Sequence, residues 1–223
     1  MRRLPAAVAL VLIALAAAWW WWRPAGGDGE ASDGEPTTSA PAVDPAHPDP
    51  ADEGRTVSLT GELSISGAPR DDQLGVTARA ALLHRDVAMF QWRERCEGDD
   101  CRYDTSWEDG AIDSRAFRDA DAHRNPTGQP FADAVFEADA VRIGALTVEP
   151  ALLRTLPTQP LAVTLGQLPP NLAASFSVRD GALYSGDPDA PAVGDVRIRY
   201  RQLQAGTVTL TGIQRGTHLH PIP

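Results

Sequence analysis

The chain has 223 residues, a formal net charge of −10, two cysteines and 43% hydrophobic side chains. Its basic side chains other than histidine are all arginine and are scattered rather than gathered into a stripe, which argues against nucleic acid as a partner and against a phosphate-binding design.

The first predicted element follows Met1-Arg2-Arg3: an uncharged run from Leu4 to Trp22 that ends in four tryptophans before Arg23. At about 1.5 Å per residue this run makes a helix of roughly 28 Å, close to the thickness of a hydrocarbon core. The indoles of Trp19 to Trp22 suit the far interface, where a ring can bury its body and still hydrogen-bond. Arginines before the run and acidic residues after it predict a single-pass anchor over residues 1–23. The N-terminus is then cytoplasmic and residues 24–223 extracytoplasmic, in the periplasm or outside the cell. A cleaved secretory signal with Ala6–Ala18 as its apolar core is the competing reading, but tryptophans occupy the zone where cleavage needs small residues. Either way the remainder is exported.

Residues 24–54 carry eight acidic side chains, no arginine and six prolines, with almost no large apolar group. Such a stretch cannot offset the entropy of ordering, so a disordered tether of roughly 30 Å is predicted before a single domain over residues 55–223. Within that domain Val57 to Ile65 alternates as a half-buried strand, and Gly67 to Asp72 breaks it. Thr77–His84 has helical character, whereas Val87–Arg95 reads as a strand running into the Cys96–Cys101 turn, with Arg102 to Trp107 as its antiparallel return. An even cysteine count around a tight glycine-containing turn in an exported chain favours a disulfide over free thiols or a metal or redox pair. By chain entropy that bridge contributes about 2 kcal/mol. Trp92 and Trp107 lie on strands that face each other across the cysteine turn and read as core or cross-strand packing rather than a ligand platform.

Farther on, Asp109 to Pro130 is irregular, and Val135-Phe136 and Val141 to Ile143 resume strand character. Thr147 to Leu156 reads as a short helix with Pro150 near its start, Leu161 to Leu165 as a strand, and Leu168–Ser175 as a second short helix. Residues 176–184 and 194–213 read as hairpins, the latter turning at Ala205-Gly206. The predicted fold is therefore mainly β, a β-rich α+β domain with short helices.

Three groupings invite a chemical reading. Asp113, Ser114, His123 and Asn125 offer a base, a nucleophile and an orienting group, yet no Gly-x-Ser-x-Gly elbow accompanies them. The structural alternative is a turn or cap at Asp113-Ser114, with His123 and Asn125 pinning a long loop through backbone hydrogen bonds. Glu108, Asp109 and Asp113 lack calcium-loop spacing and read as solvated, and His218-Leu219-His220 reads as a solvated, frayed tail rather than a metal pair. Neither a catalytic residue nor a cofactor nor a metal is expected. The residues retained as a candidate interaction surface are Trp107, Asp113, His123 and Asn125.

The order of Val87 to Glu94, Trp107 to Phe117, His123-Arg-Asn125-Pro126, Pro130-Phe131, Val141 to Leu146, and Asp187-Pro188 with Val193 to Ile198 resembles the transmembrane protein 43 family, also called LUMA, over about residues 54–214. The resemblance implies an N-terminal membrane helix and a large non-cytoplasmic domain. Animal members are proteins of the inner nuclear membrane and endoplasmic reticulum that organise membrane protein complexes, and no enzymatic activity is implied. Members continue into further membrane helices, which this chain, ending at Pro223, is expected to lack. The expected function is a membrane-anchored, non-enzymatic scaffold with other membrane or envelope proteins as partners. An extracytoplasmic hydrolase, or a protein binding envelope polymer or lipid through the 107–131 loop, is the alternative.

Overall fold

Two β-sheets organise residues 40–223, which are those that a computed structural model describes. The expected membrane anchor and residues 24–39 of the expected tether lie outside the described residues. Among the described residues no helix is long and apolar enough to cross a membrane. The elements are mainly strands, as expected, with two four-residue helices, α1 (Pro150–Leu153) and α2 (Pro170–Ala173).

The first sheet uses β1 (Ala42–Val43), β2 (Thr56–Ser66), β6 (Ala140–Ile143), β7 (Leu146–Val148), β12 (Thr207–Arg215) and β13 (His218–His220). β2 pairs with β12 over its first half and with β6 over its second half, so the path β2-β12-β13-β7-β6 returns to β2 and closes a small barrel. The alternation that predicted β2 places Val57, Leu59 and Leu63 inside it, against Val141, Ile143, Leu146, Leu210 and Leu219. α1 adds Leu152 and Leu153 to the same core, with Pro150 at its first turn. Thr147 and Val148, read as the start of that helix, belong instead to strand β7, because Val148 is drawn into the barrel beside Leu219.

The second sheet uses β3 (Leu82–Glu97), β4 (Asp100–Asp109), β5 (Ala134–Glu137), β8 (Gln159–Leu161), β9 (Ser177–Arg179), β10 (Ala182–Tyr184) and β11 (Val196–Leu203). β3 lies between β11 on one edge and β4 and β5 on the other, all antiparallel. Three predictions fail here for identifiable reasons. β11 and β12 are not a hairpin: β11 joins this sheet and β12 joins the barrel, a partition that local alternation does not encode. Thr77–His84 is not helical, because the chain there passes between two cores. Ala81 and Leu82 serve the barrel, Ala80 and Leu83 serve the second core, and all four are fully buried, which hides the period of two. The strand expected at Leu161–Leu165 ends at Leu161, where a turn follows in which the Gln167 side chain accepts from the Thr164 amide at 2.8 Å.

The tether expected through residue 54 is docked from residue 40 onward. β1 pairs in parallel with Ser58 and Leu59 along the stretch of β2 that β6 leaves uncovered. Ala145 N–H donates to the Pro45 carbonyl at 2.8 Å and Gly54 N–H to that of Gln214 at 2.8 Å. Composition missed this because hydrogen bonds to backbone groups do most of the anchoring, joined by Glu53 accepting from Gly216 N–H and by Val43 packing on the barrel core.

Beneath the second sheet, residues 69–78 form a tight loop whose Leu74 and Val76 plug the core. Gly75 takes φ +74°, and a Cβ there would meet the Gln167 carbonyl oxygen at 2.9 Å, so the turn requires glycine. The loop is fixed by Asp71, which is fully buried. Its Oδ1 accepts from the amides of Gln73 and Leu74 at 3.0 and 3.3 Å. Its Oδ2 accepts from Arg85 Nη1 at 2.7 Å and Tyr200 Oη at 2.6 Å. Arg85 and Tyr200 are opposite one another on β3 and β11, so one carboxylate clamps a loop to two neighbouring strands. Burial, then the bond to Asp71, pushes the Tyr200 phenol well above its ordinary range. Replacing Asp71 by Ala strands the Arg85 charge and is expected to cost about 3–5 kcal/mol. Tyr200→Phe loses one hydrogen bond to a charged group and is expected to cost about 1.5–3 kcal/mol, the smaller loss in denaturant unfolding of the full chain.

Candidate functional site

The β3–β4 hairpin extends past the rest of its sheet, and the disulfide between Cys96 and Cys101, which are directly opposite, closes its tip. The two strands face each other as expected, and register places Phe90 opposite Trp107 and Trp92 opposite Thr105. Trp107 centres an aromatic group on the outer face, with Phe90 at 5.4 Å and Tyr184 at 5.7 Å between ring centroids. The Arg197 guanidinium lies over its ring at 5.0 Å. Trp92 belongs to a different group, edge-on to His123 at 4.7 Å, with the His123 ring stacked on Tyr103 at 3.7 Å.

Two side-chain amides staple the loop between residues 110 and 125 onto β3. Asn125 Oδ1 accepts from Trp92 N–H at 2.8 Å while its Nδ2 donates to the Trp92 carbonyl at 2.9 Å, the pairing that a neighbouring strand would supply. Gln91, fully buried on the inner face, donates to the Gly110 carbonyl at 2.7 Å and accepts from Ile112 N–H at 2.8 Å. Farther along β3, Val87 N–H donates to Asp133 at 2.7 Å. Sequence pattern misses Gln91 and Asp133 because polar residues in a strand and a loop carry no periodic signal.

The residues that invited a catalytic reading have other partners. The buried Ser114 Oγ accepts from Asn125 N–H at 2.9 Å, and among the described residues no hydrogen bond joins it to His123. His123 Nδ1 donates to the Asp119 carbonyl at 3.1 Å. Asp113 caps the short turn Ser114–Ala116 and is bound bidentately by Arg115, whose hydrogen bonds hold its carboxyl down at about 2, too low for a general base near neutrality. Glu94 accepts from Tyr103 Oη at 2.7 Å and from Arg118 N–H at 2.6 Å, bonds that lower its carboxyl and raise the phenol. Glu108 pairs with Arg93 at 2.9 Å, and Asp109 next to it on the strand points to the other face. Asp113, His123 and Asn125 thus sit together in one stapled loop, whereas Trp107 lies in the aromatic group beside it.

A groove of about 780 Å³ opens on the outer face of the second sheet, along β11. Arg197, Arg199 and Arg201 line it at alternate positions of β11, together with Asp86, Asp109, Asp133 and Asp180, so its charge is mixed. Arg201 holds Asp86 by two hydrogen bonds at 2.6 and 2.9 Å. Among the described residues Arg197 and Arg199 form no ion pair; burial, then the neighbouring Arg199 charge, lowers the Arg197 guanidinium from its usual value.

The profile of the family described as transmembrane protein 43 matches residues 89–222, from the outer half of β3 to just beyond β13. Transmembrane protein 43 of Mus musculus and that of Homo sapiens are 28% and 27% identical to the chain over 194 residues, 77% of this chain and 48% of either relative. The transmembrane protein 43 homolog of Drosophila melanogaster is 34% identical over 106 residues, 41% of this chain and 28% of that protein. The chain spans about half the length of the mammalian relatives it matches. No solved structure matches it.

Asn125→Ala leaves both backbone groups of Trp92 without their partner and is expected to destabilise by about 1–3 kcal/mol. The measurable sign is faster amide exchange across residues 110–125, with exchange in the barrel unchanged.

Proposed function

We propose, from the premise that this chain belongs to the transmembrane protein 43 family, that it is a membrane-anchored scaffold whose extracytoplasmic domain binds a partner protein through the outer face of the second sheet. The observation that carries this reading is the groove along β11, where Arg197 and Arg199 present charge without ion-pair partners among the described residues, beside Trp107. Arginine and tryptophan are residue types that dominate protein interfaces. A charged lining favours a polar protein surface over an acyl chain or other apolar ligand. The absence of a catalytic role is part of the proposal. It is supported by Ser114, His123 and Asp113 each being bound to groups that hold the loop.

The address is likewise proposed. The uncharged run Leu4–Trp22 would be the anchor, and a bonded Cys96–Cys101 pair suits an oxidising compartment. Removal of residues 2–22 should then release the chain from sedimenting membranes. The scaffold itself is tested by native electrophoresis of gently solubilised membranes after crosslinking. The full chain is expected in a complex larger than itself, and Arg197→Glu with Arg199→Glu returns it to the size of the chain alone while His123→Ala does not. Migration unaffected by the double charge reversal would contradict the assignment of this face.

A further inference from the structure

β13 is three residues long and lies between two other strands of the closed barrel, antiparallel to β12 and parallel to β7. It is therefore not the frayed tail expected from sequence: its backbone is held on both sides. Leu219 is fully buried in the barrel, so by strand alternation His218 and His220 stand together on the outside. Their ring centroids are 6.1 Å apart. The parallel register sets His218 beside Thr147 and Leu219 beside Val148, which brings Glu149 alongside His220. Glu149 N–H donates to the Leu219 carbonyl at 3.1 Å, fixing that neighbour, and its carboxylate oxygen is 4.0 Å from His220 Nδ1. Among the described residues His220 is the only cationic or potentially cationic group paired with Glu149.

Two imidazoles at alternate strand positions with a carboxylate beside one of them form a nitrogen-rich, borderline donor set. Such a set suits Zn²⁺, Cu²⁺ or Ni²⁺ rather than Mg²⁺ or Ca²⁺, which favour oxygen ligands. Three protein ligands leave a coordination position open. The charged neighbours are mixed. Arg215 on β12 lies opposite His218 and opposes a cation, whereas Glu149 favours one, and Glu53 accepts from Gly216 N–H at 2.7 Å in the β12–β13 turn. Ile213, opposite His220, adds no charge.

We propose that His218, His220 and Glu149 form a surface site for a divalent transition metal, with Zn²⁺ as the probe. As placed, the three do not converge on one point, and the exposed His218 ring must turn to complete the set. The backbone supplies the preorganisation and the side chains supply the adjustment. Because imidazole nitrogens must be deprotonated to bind, uptake weakens as pH falls.

The test is calorimetric titration of Zn²⁺ into the full chain in detergent micelles, purified through a tag without histidine and freed of metal by chelator. One equivalent is expected. His218→Ala and His220→Ala should each lower affinity at least about tenfold, Glu149→Gln should lower it less, and His123→Ala should leave it unchanged. His218→Gln and His220→Gln, which retain polar side chains at the same strand positions, are read with the alanine variants. Their melting temperature without metal should equal that of the parent, and only the parent should gain on adding Zn²⁺. No saturable uptake, or uptake that survives removal of either imidazole, would overturn the site.

Discussion

A single buried carboxylate, Asp71, is the constraint on which the second half of this fold depends. It lies in a loop before β3 and binds a guanidinium on β3 and a phenol on the sequence-distant β11 through the same oxygen. A charge removed from water is costly unless every lone pair is used, and here both carboxylate oxygens are engaged, the other by backbone amides of the loop itself. The arrangement sets the height of Leu74 and Val76 under the sheet and holds β3 against β11 where the two cores meet. The outer face of the same strands carries the groove of mixed charge, so the geometry of that face depends on the clamp beneath it.

Polar side chains complete the sheet in several places where strands end. Asn125 occupies the edge of β3 beyond the reach of β11, Asp133 meets Val87 where β5 has stopped, and Gln91 holds the start of the irregular loop. This economy explains why Ser114, His123 and Asp113 bond to groups within their own loop rather than to one another. Their hydrogen-bonding capacity goes to backbone groups that would otherwise be unpaired. The proposed recognition surface is the charge and aromatic area at Arg197, Arg199 and Trp107.

Much of this was legible in the sequence where one residue's neighbours settle the matter. The alternation of Val57 to Ile65 gave β2, the Val87–Arg95 run and its return gave the hairpin, and the cysteine spacing gave its bridge. The structural reading of Asp113, His123 and Asn125 also follows from residue types that bond to nearby backbone. Long-range choices were not legible. Nothing local to Val196–Arg215 says that its two strands part company into different sheets, and the fully buried stretch Ala80–Leu83 loses its alternation by touching two cores. Asp71 read as a loop breaker because its partners are 14 and 129 residues away. His218 and His220 read as a tail because β7, which holds them on one side, is distant in sequence and reads locally as the start of a helix.

The claim that one carboxylate couples loop, β3 and β11 is tested most directly by a double-mutant cycle in denaturant unfolding, comparing Asp71→Ala, Arg85→Met and the pair together. If the clamp works as described, removing Asp71 after Arg85 costs far less than removing it first, with a coupling energy on the order of 2 kcal/mol. Single losses that add to within about 0.5 kcal/mol would show that the two side chains act independently, and would contradict the account.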